Sequence, residues 1–179
     1  MRKCMISVLL PSTAQEPSLI DTLAALVEGV AEGILRDAII VGPENSETDA
    51  LADAAGATRL IAQGTRYALL AEASKFARSE WCFIVTAGLV PGGDWMRGLY
   101  DGISAIGAPN EAGIMPLASR PGLAALLKTG FINRSPFLTG QPDLRHGVLM
   151  RRETVNSAPN RRLKIAILAG WMSDRRTFS

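Results

Sequence analysis

Few side chains in this 179-residue chain combine a reactive type with a useful spacing. The densest polar stretch is Gly42-Pro43-Glu44-Asn45-Ser46-Glu47-Thr48, followed by Asp49. Its carboxylates either accept hydrogen bonds from ligand hydroxyls or belong to a solvated turn. Arg66 opens a helical pattern, where a cation is mildly disfavoured by the helix dipole. A guanidinium there suits bidentate binding of a diphosphate. His146, the single histidine, stands beside Arg145. It is either a general base or, as a lone loop histidine, merely exposed. Asp94 either caps the helix beginning at Trp95 or reaches back toward the loop before it. Arg161, Arg162 and Lys164 precede an apolar run, a pattern for meeting anionic lipid or an acidic protein face.

One stretch is conspicuous for what it omits. Residues 83–95 read FIVTAGLVPGGDW. Phe83 to Thr86 reads as the end of a buried strand, and the Pro and two Gly that follow read as the loop leaving it. In α/β proteins such a loop lies at the carboxyl edge of the sheet, where ligands bind. Yet Thr86 to Gly93 carries no Asp, Glu, His, Lys or Arg.

The elements that would position these residues alternate. Met5–Leu10 reads as a strand buried on both faces, with Ala38–Val41, the short Arg59–Ile61 and Trp81–Val85 as further strands. Between them, Ser18–Glu32, Thr48–Ala55 and Tyr67–Arg78 carry helical spacing, as does Trp95–Ile106 after the last. Ser18 is a candidate N-cap, and Gly33 and Gly56 are candidate stops. This β-α-β-α-β order predicts a parallel sheet with helices on both faces. Later the pattern weakens. Gly113–Leu117 and Gly147–Met150 are candidate strands, Thr129–Arg145 a surface loop, Arg161–Met172 a helix with a basic start, and the last residues a tail.

The totals fit one globular domain. Apolar residues make up 47% and charged residues 20%, which excludes wholesale disorder. No apolar run reaches the roughly 18 residues of a membrane span, and Ile6–Leu10 is too short for a signal segment. Cys4 and Cys82 are far apart and lack zinc spacing; both read as buried hydrophobes. Charge is uneven: residues 1–119 hold 8 Lys+Arg and 14 Asp+Glu (−6), residues 120–179 hold 11 and 3 (+8), summing to the +2 of the chain. The basic second half suggests an anionic partner. Nucleic acid is not expected, since interleaved aromatics and known binding motifs are lacking.

The order and spacing of these segments resemble family 2 glycosyltransferases of the GT-A fold. The resemblance is carried by SVLLPSTAQEPSLIDTLAAL (7–26), DAIIVGPENSETDALADAAGA (37–57), TRYALLAEASKFARSEWCFIV (65–85) and TAGLVPGGDW (86–95), and more thinly by GQPDLRHGVLMRRE (140–153). It implies a three-layer α/β/α, Rossmann-like domain with a mostly parallel central sheet. Residues 1–106 would form a nucleotide-binding half, and 107–179 a shortened acceptor half. By position, it makes Pro11, Glu16, Gly42, Glu44, Arg66, Thr86 and Gly88 candidate nucleotide-binding residues.

The departures from the family are chemical. Ala14 stands where Asn is common, and the second strand ends in Val41-Gly42-Pro43 rather than in an Asp. The family's Asp-x-Asp motif, which holds Mg²⁺ or Mn²⁺ against the diphosphate, falls on Thr86-Ala87-Gly88. A hard divalent cation requires anionic oxygen ligands, so the sequence predicts no metal cofactor. The acceptor-side catalytic Asp also lacks a match, since the only carboxylate side chain after Glu153 is Asp174. The expectation is a glycosyltransferase-like protein with impaired catalysis, binding a nucleotide sugar without metal or serving as a regulatory or assembly subunit. The alternatives are an active metal-independent glycosyltransferase and a membrane-peripheral adaptor using Arg161, Arg162 and Lys164. The expected location is cytoplasmic, with a peripheral site at the inner face of a membrane in the adaptor case.

Overall fold

The computed structural model describes residues 6–12, 18–118, 134, 142–157 and 162–174. In chain order the elements are β1 (Ile6–Pro11), α1 (Leu19–Ala31), β2 (Leu35–Gly42), α2 (Ser46–Ala55), β3 (Thr58–Ile61), α3 (Arg66–Ser74) and β4 (Trp81–Ile84). They continue with β5 (Leu89–Gly92), α4 (Trp95–Ala105), β6 (Glu111–Met115), β7 (Gly147–Arg151), α5 (Arg152–Ser157), β8 (Lys164–Ile167) and β9 (Trp171–Asp174). Seven strands form one sheet in the order β3-β2-β1-β4-β7-β6-β8. β1, β2, β3 and β4 are mutually parallel. β7 runs against both β4 and β6, while β6 and β8 are parallel. The sheet is therefore mostly parallel, with one reversed strand.

Side-chain alternation builds the layers. On β1, Ile6, Val8 and Leu10 enter one core with Leu19 and Leu26 of α1 and Trp95 and Leu99 of α4. Leu9 points the other way, into a second core with Leu69 and Leu70 of α3 and Val155 of α5. β4 repeats this, with Phe83 in the first core and Cys82 and Ile84 in the second. Strands buried on both faces are what a helix-covered parallel sheet requires. Burial also pushes the Cys82 thiol up to about 12, so it is a structural hydrophobe.

Local signals explain most boundaries. Asn45 caps α2 by accepting from the Thr48 N–H at 2.9 Å, and Thr65 caps α3 through the Ala68 N–H at 3.3 Å. Ser18 and Asp94 occupy the N-cap positions of α1 and α4 without a side-chain cap bond. Their ψ values of 5° and 41° are far from the extended backbone that aims a cap side chain at the first turn.

The predicted helix over Arg161–Met172 is not formed. Its described residues make β8, a turn at Leu168–Gly170, and β9. Lys164–Ile167 pairs with Glu111–Ile114 of β6, and Trp171–Asp174 pairs antiparallel with β5. Gly170, at φ 87°, turns the chain beside the Trp95 backbone. Leu168 fills the space over Gly102 and Gly113, where a Cβ would fall 2.6 Å from its Cδ2. Pairing partners and glycine clefts supplied by other segments override local helical spacing. No basic amphipathic helix is present here. Lys164 instead meets Glu111 at 3.3 Å, Arg162 is exposed, and Arg161 lies outside the described residues.

Candidate functional site

The carboxyl ends of β2, β1 and β4 lie side by side. Pro11 of β1 is in register with Val41 of β2, and the Ser12 N–H continues the ladder to the Val41 carbonyl at 2.8 Å. Gly42 closes β2 so near to β1 that a Cβ there would overlap the Ser12 carbonyl oxygen. Gly42→Ala must therefore push the β1 and β2 backbones apart. We expect a loss of about 2 kcal/mol, read by urea unfolding; an unchanged midpoint would show that the strand ends move freely.

The loop after β2 is held from β3. Arg59 of β3 donates to Asp49 at 2.7 Å and reaches the carbonyls of Ile40, Gly42, Leu60 and Pro43. Asp49 is thereby engaged. Glu44 in this loop and Glu47 in the first turn of α2 are exposed. Arg66 begins α3, just past β3, and is exposed.

At the end of β4 the polar groups bond to the protein itself. Thr86 is 1% exposed and donates its hydroxyl to the Leu144 carbonyl at 3.2 Å. Gly88, at φ 86°, donates its N–H to the Thr22 hydroxyl at 2.9 Å, and that hydroxyl turns back to the Ser18 carbonyl at 3.4 Å. The turn is tied to α1 and to the segment leading into β7.

That segment, Pro142–His146, arrives at the same edge because β7 is reversed. The Tyr67 hydroxyl of α3 donates to the Pro142 carbonyl at 2.9 Å. Burial, aided by the Asp143 charge, raises the Tyr67 pKa. Burial works against ionising Asp143, but hydrogen bonds from the Arg145 side chain and backbone outweigh it and hold the carboxyl below its ordinary range.

His146 is buried, not an exposed loop histidine as predicted. Its Nδ1 lies 3.1 Å from the Asp143 carbonyl. Burial pushes its pKa below the ordinary 6.5, although the Asp143 carbonyl and charge pull the other way. The unfolded chain then binds this proton more readily than the folded one. Stability from this group is complete above pH about 6.5 and is lost as pH falls toward the lower folded value. The slope cannot exceed about 1.4 kcal/mol per pH unit. We expect His146→Gln to flatten the acid limb of stability against pH, measured by urea unfolding; an unchanged limb would assign it to other groups.

Of the predicted nucleotide-binding residues, Pro11, Gly42, Thr86 and Gly88 meet at adjacent strand ends, and Glu44 and Arg66 flank them on the loops after β2 and β3. Glu16 lies outside the described residues. Sequence reasoning missed Arg59, whose partners come from other elements. It also placed Asp174 in a tail, whereas Asp174 belongs to β9 and pairs with Leu89, one residue past Gly88.

No protein-family model matches the sequence, and no curated protein matches it. Solved structures do. Glucosyl-3-phosphoglycerate synthase from Mycobacterium tuberculosis, in complex with Mn²⁺, UDP and phosphoglyceric acid, aligns with a TM-score of 0.58 at 16% identity, covering 83% of this chain and 56% of that one. The same enzyme with Mn²⁺, UDP and glucosyl-3-phosphoglycerate gives 0.62 at 15%, covering 96% and 72%. A structure described only as a mycobacterial protein gives 0.63 at 16%, covering 96% and 67%. The fold is GT-A-like. At these identities the likeness concerns architecture, and the chain spans between about half and three-quarters of the length of these neighbours.

The comparison corrects one expectation. The sequence predicted no metal cofactor, whereas GT-A-like neighbours carry Mn²⁺ or Mg²⁺ together with UDP. The same fold thus goes with a divalent ion in those enzymes. Among the described residues, no group of three or more His, Cys, Asp or Glu is placed to hold one. Thr86 and Gly88 offer no carboxylate, and the Thr86 hydroxyl and Gly88 N–H are already bonded. The described residues do not by themselves fit a divalent cation.

Among the described residues no helix is long and apolar enough to cross a membrane. Several cations of the basic second half are satisfied internally. Arg145 pairs with Asp143, Arg151 pairs with Glu80 and lies 4.8 Å over the Trp81 ring, and Arg152 reaches the Ala77 carbonyl.

Proposed function

We propose that the chain is a glycosyltransferase-like module that binds a nucleoside-diphosphate sugar at the carboxyl edge of β2, β1 and β4, with turnover impaired. The base and ribose would lie over Pro11 and Gly42, near Glu44, and Arg66 would face the diphosphate. Residues 1–106 would supply this nucleotide half, and residues 107–179 a short acceptor half. The neighbours that hold UDP or UDP-glucose in the same fold support the ligand class.

The observation that carries the reading of impaired turnover is the turn after β4. Its Thr86 hydroxyl and Gly88 N–H are spent on Leu144 and Thr22. Neither residue offers a carboxylate at the position where the resemblance places the groups that neutralise the leaving diphosphate. A second reading, an active glycosyltransferase, draws on His146, a titratable group at the same edge; it would have to emerge from a fully buried position.

The test is thermal unfolding with UDP and with UDP-glucose, each with and without Mn²⁺, followed by an assay for sugar release. A ligand at 100 times its dissociation constant adds about 2.7 kcal/mol. Stabilisation that weakens in Arg66→Ala, without sugar release, is the expected result. No shift in any arm overturns the binding reading, and release of sugar overturns impairment.

A further inference from the structure

β5 and β9 form a separate two-stranded ribbon beside the main sheet. Along β9, Met172 turns inward and is fully buried, while Trp171 turns outward and is 45% exposed. The indole nonetheless has a bed. A Cβ on Gly92 would fall 2.8 Å from its Nε1 and 3.2 Å from Cε2, and a Cβ on Gly93 would lie 2.7 Å from Cη2 and 2.8 Å from Cε3. Atoms from both the pyrrole and benzo ends, on both long edges of the ring, thus press on two consecutive glycines. The ring packs against the bare backbone of these glycines, and nearly half of the residue stays exposed.

The bed is itself fixed. Gly170 turns against the Trp95 backbone, and Gly98 of α4 leaves no space for a Cβ beside the Ala169 carbonyl. The platform is therefore held before any ligand arrives. Directly after Gly93 comes Asp94, exposed and without a side-chain cap bond to α4. An exposed aromatic ring and, one residue past its glycine bed, an exposed carboxylate are together the groups that recognise a sugar ring. Axial C–H bonds carry partial positive charge and meet the electron-rich indole face. Equatorial hydroxyls donate to the carboxylate in charge-assisted hydrogen bonds.

We propose that Trp171 and Asp94 form a saccharide-binding platform that takes a pyranose ring of a neutral oligosaccharide. The sugar class rests on the glycosyltransferase-like reading above. Position agrees with it. β5 leaves the nucleotide edge at Gly88, and four residues of strand place Gly92 about 13 Å away. An oligosaccharide seated on Trp171 could extend toward that edge.

Trp81 and Trp95 are 6% and 3% exposed, so acrylamide quenching of tryptophan fluorescence reports mainly on Trp171. The experiment titrates cellobiose, maltose and mannobiose into the wild-type protein, with UDP thermal shifts measured on the same sample. At least one disaccharide should shield the accessible tryptophan. Asp94→Asn should weaken that binding about tenfold, equivalent to about 1.4 kcal/mol. Trp171→Phe, which keeps a flat ring on the glycines, should retain most of the affinity, whereas Trp171→Ala, followed by calorimetry, should abolish it. Overturning results are quenching unmoved by every disaccharide, affinity unchanged in Trp171→Ala, shielding by uridine alone, or shielding that rises with protein concentration instead of sugar. A UDP shift without a sugar effect overturns the platform and leaves the nucleotide reading standing; a sugar effect without a UDP shift does the reverse.

Discussion

Arg59→Met is expected to destabilise the protein by about 3 kcal/mol. The guanidinium is 12% exposed and serves five acceptors, namely the Asp49 carboxylate and the carbonyls of Ile40, Leu60, Gly42 and Pro43. A methionine fills similar volume but leaves these groups unmatched, and an unsatisfied buried polar group costs about 1–3 kcal/mol. Water can still reach Asp49, which is 39% exposed, so the value belongs at the lower end of the range for broken buried pairs. For a chain of this length the melting temperature should fall by about 10 °C. Asp49→Asn should cost much less, because the carbonyls still hold the guanidinium. Nucleotide binding should weaken in step, since Gly42 and Pro43 carry the loop over which the base would lie. Calorimetric scans of the two variants decide the matter. A loss below about 1 kcal/mol in Arg59→Met would mean the loop keeps its shape without the guanidinium.

Phe83→Ala should be costlier still, at about 4 kcal/mol. Phe83 is fully buried on β4. Its ring stacks on Trp95 at 6.4 Å between centroids, and its Cε2 would be 2.9 Å from a Cβ on Gly147. It thus joins the parallel half of the sheet, helix α4 and the reversed strand β7. Its removal opens a cavity where these three elements meet, and none of them can close alone. With total stabilities of about 5–15 kcal/mol in domains of this kind, the variant should unfold at low urea. Phe83→Leu should retain most of the stability. A two-state curve for Phe83→Ala displaced by less than about 2 kcal/mol would show that the core repacks.

How far the sequence could be read follows from the range of the forces involved. β1 to β4 and the helices α1 to α4 were legible because each depends on a local pattern, whereas Leu89–Gly92 was read as a loop and is strand β5, because its partner β9 lies some eighty residues further on. Examples of local patterns are the nearly continuous apolar runs of β1 and β4, the spacing of Leu19, Leu23 and Leu26 in α1, and the Gly56 stop. The segment after residue 160 was not. Leu163, Ile165, Ile167 and Leu168 fit helical spacing as well as a strand, and strands β6 and β5 decide between them. His146 looked like an exposed loop residue because its cover is distant in sequence. Tyr67 and Thr86 fix the neighbouring backbone through Pro142 and Leu144. At the candidate site, Pro11, Gly42, Thr86 and Gly88 could be placed from strand order alone. The closure of the Thr86–Gly88 turn could not, since Thr22 and Leu144 come from opposite sides of the chain. The cofactor expectation went wrong for another reason. It inferred chemistry from missing side chains, whereas GT-A-like neighbours hold Mn²⁺ or Mg²⁺ together with UDP.

Among α4, strands β4, β6 and β7, and the segment Leu168–Met172, contact is made where side chains are absent. Gly98 faces the Ala169 carbonyl, Gly102 and Gly113 face Leu168, and Gly147 faces Phe83 and Met172. In a saturation library these four positions should reject nearly every replacement, even alanine, while exposed Ile20, Val27 and Val30 on α1 accept polar ones freely. A tolerance map of this protein would therefore peak at residues with no functional atom. Anyone who ranked positions by intolerance would find the seam of the fold first and the ligand second.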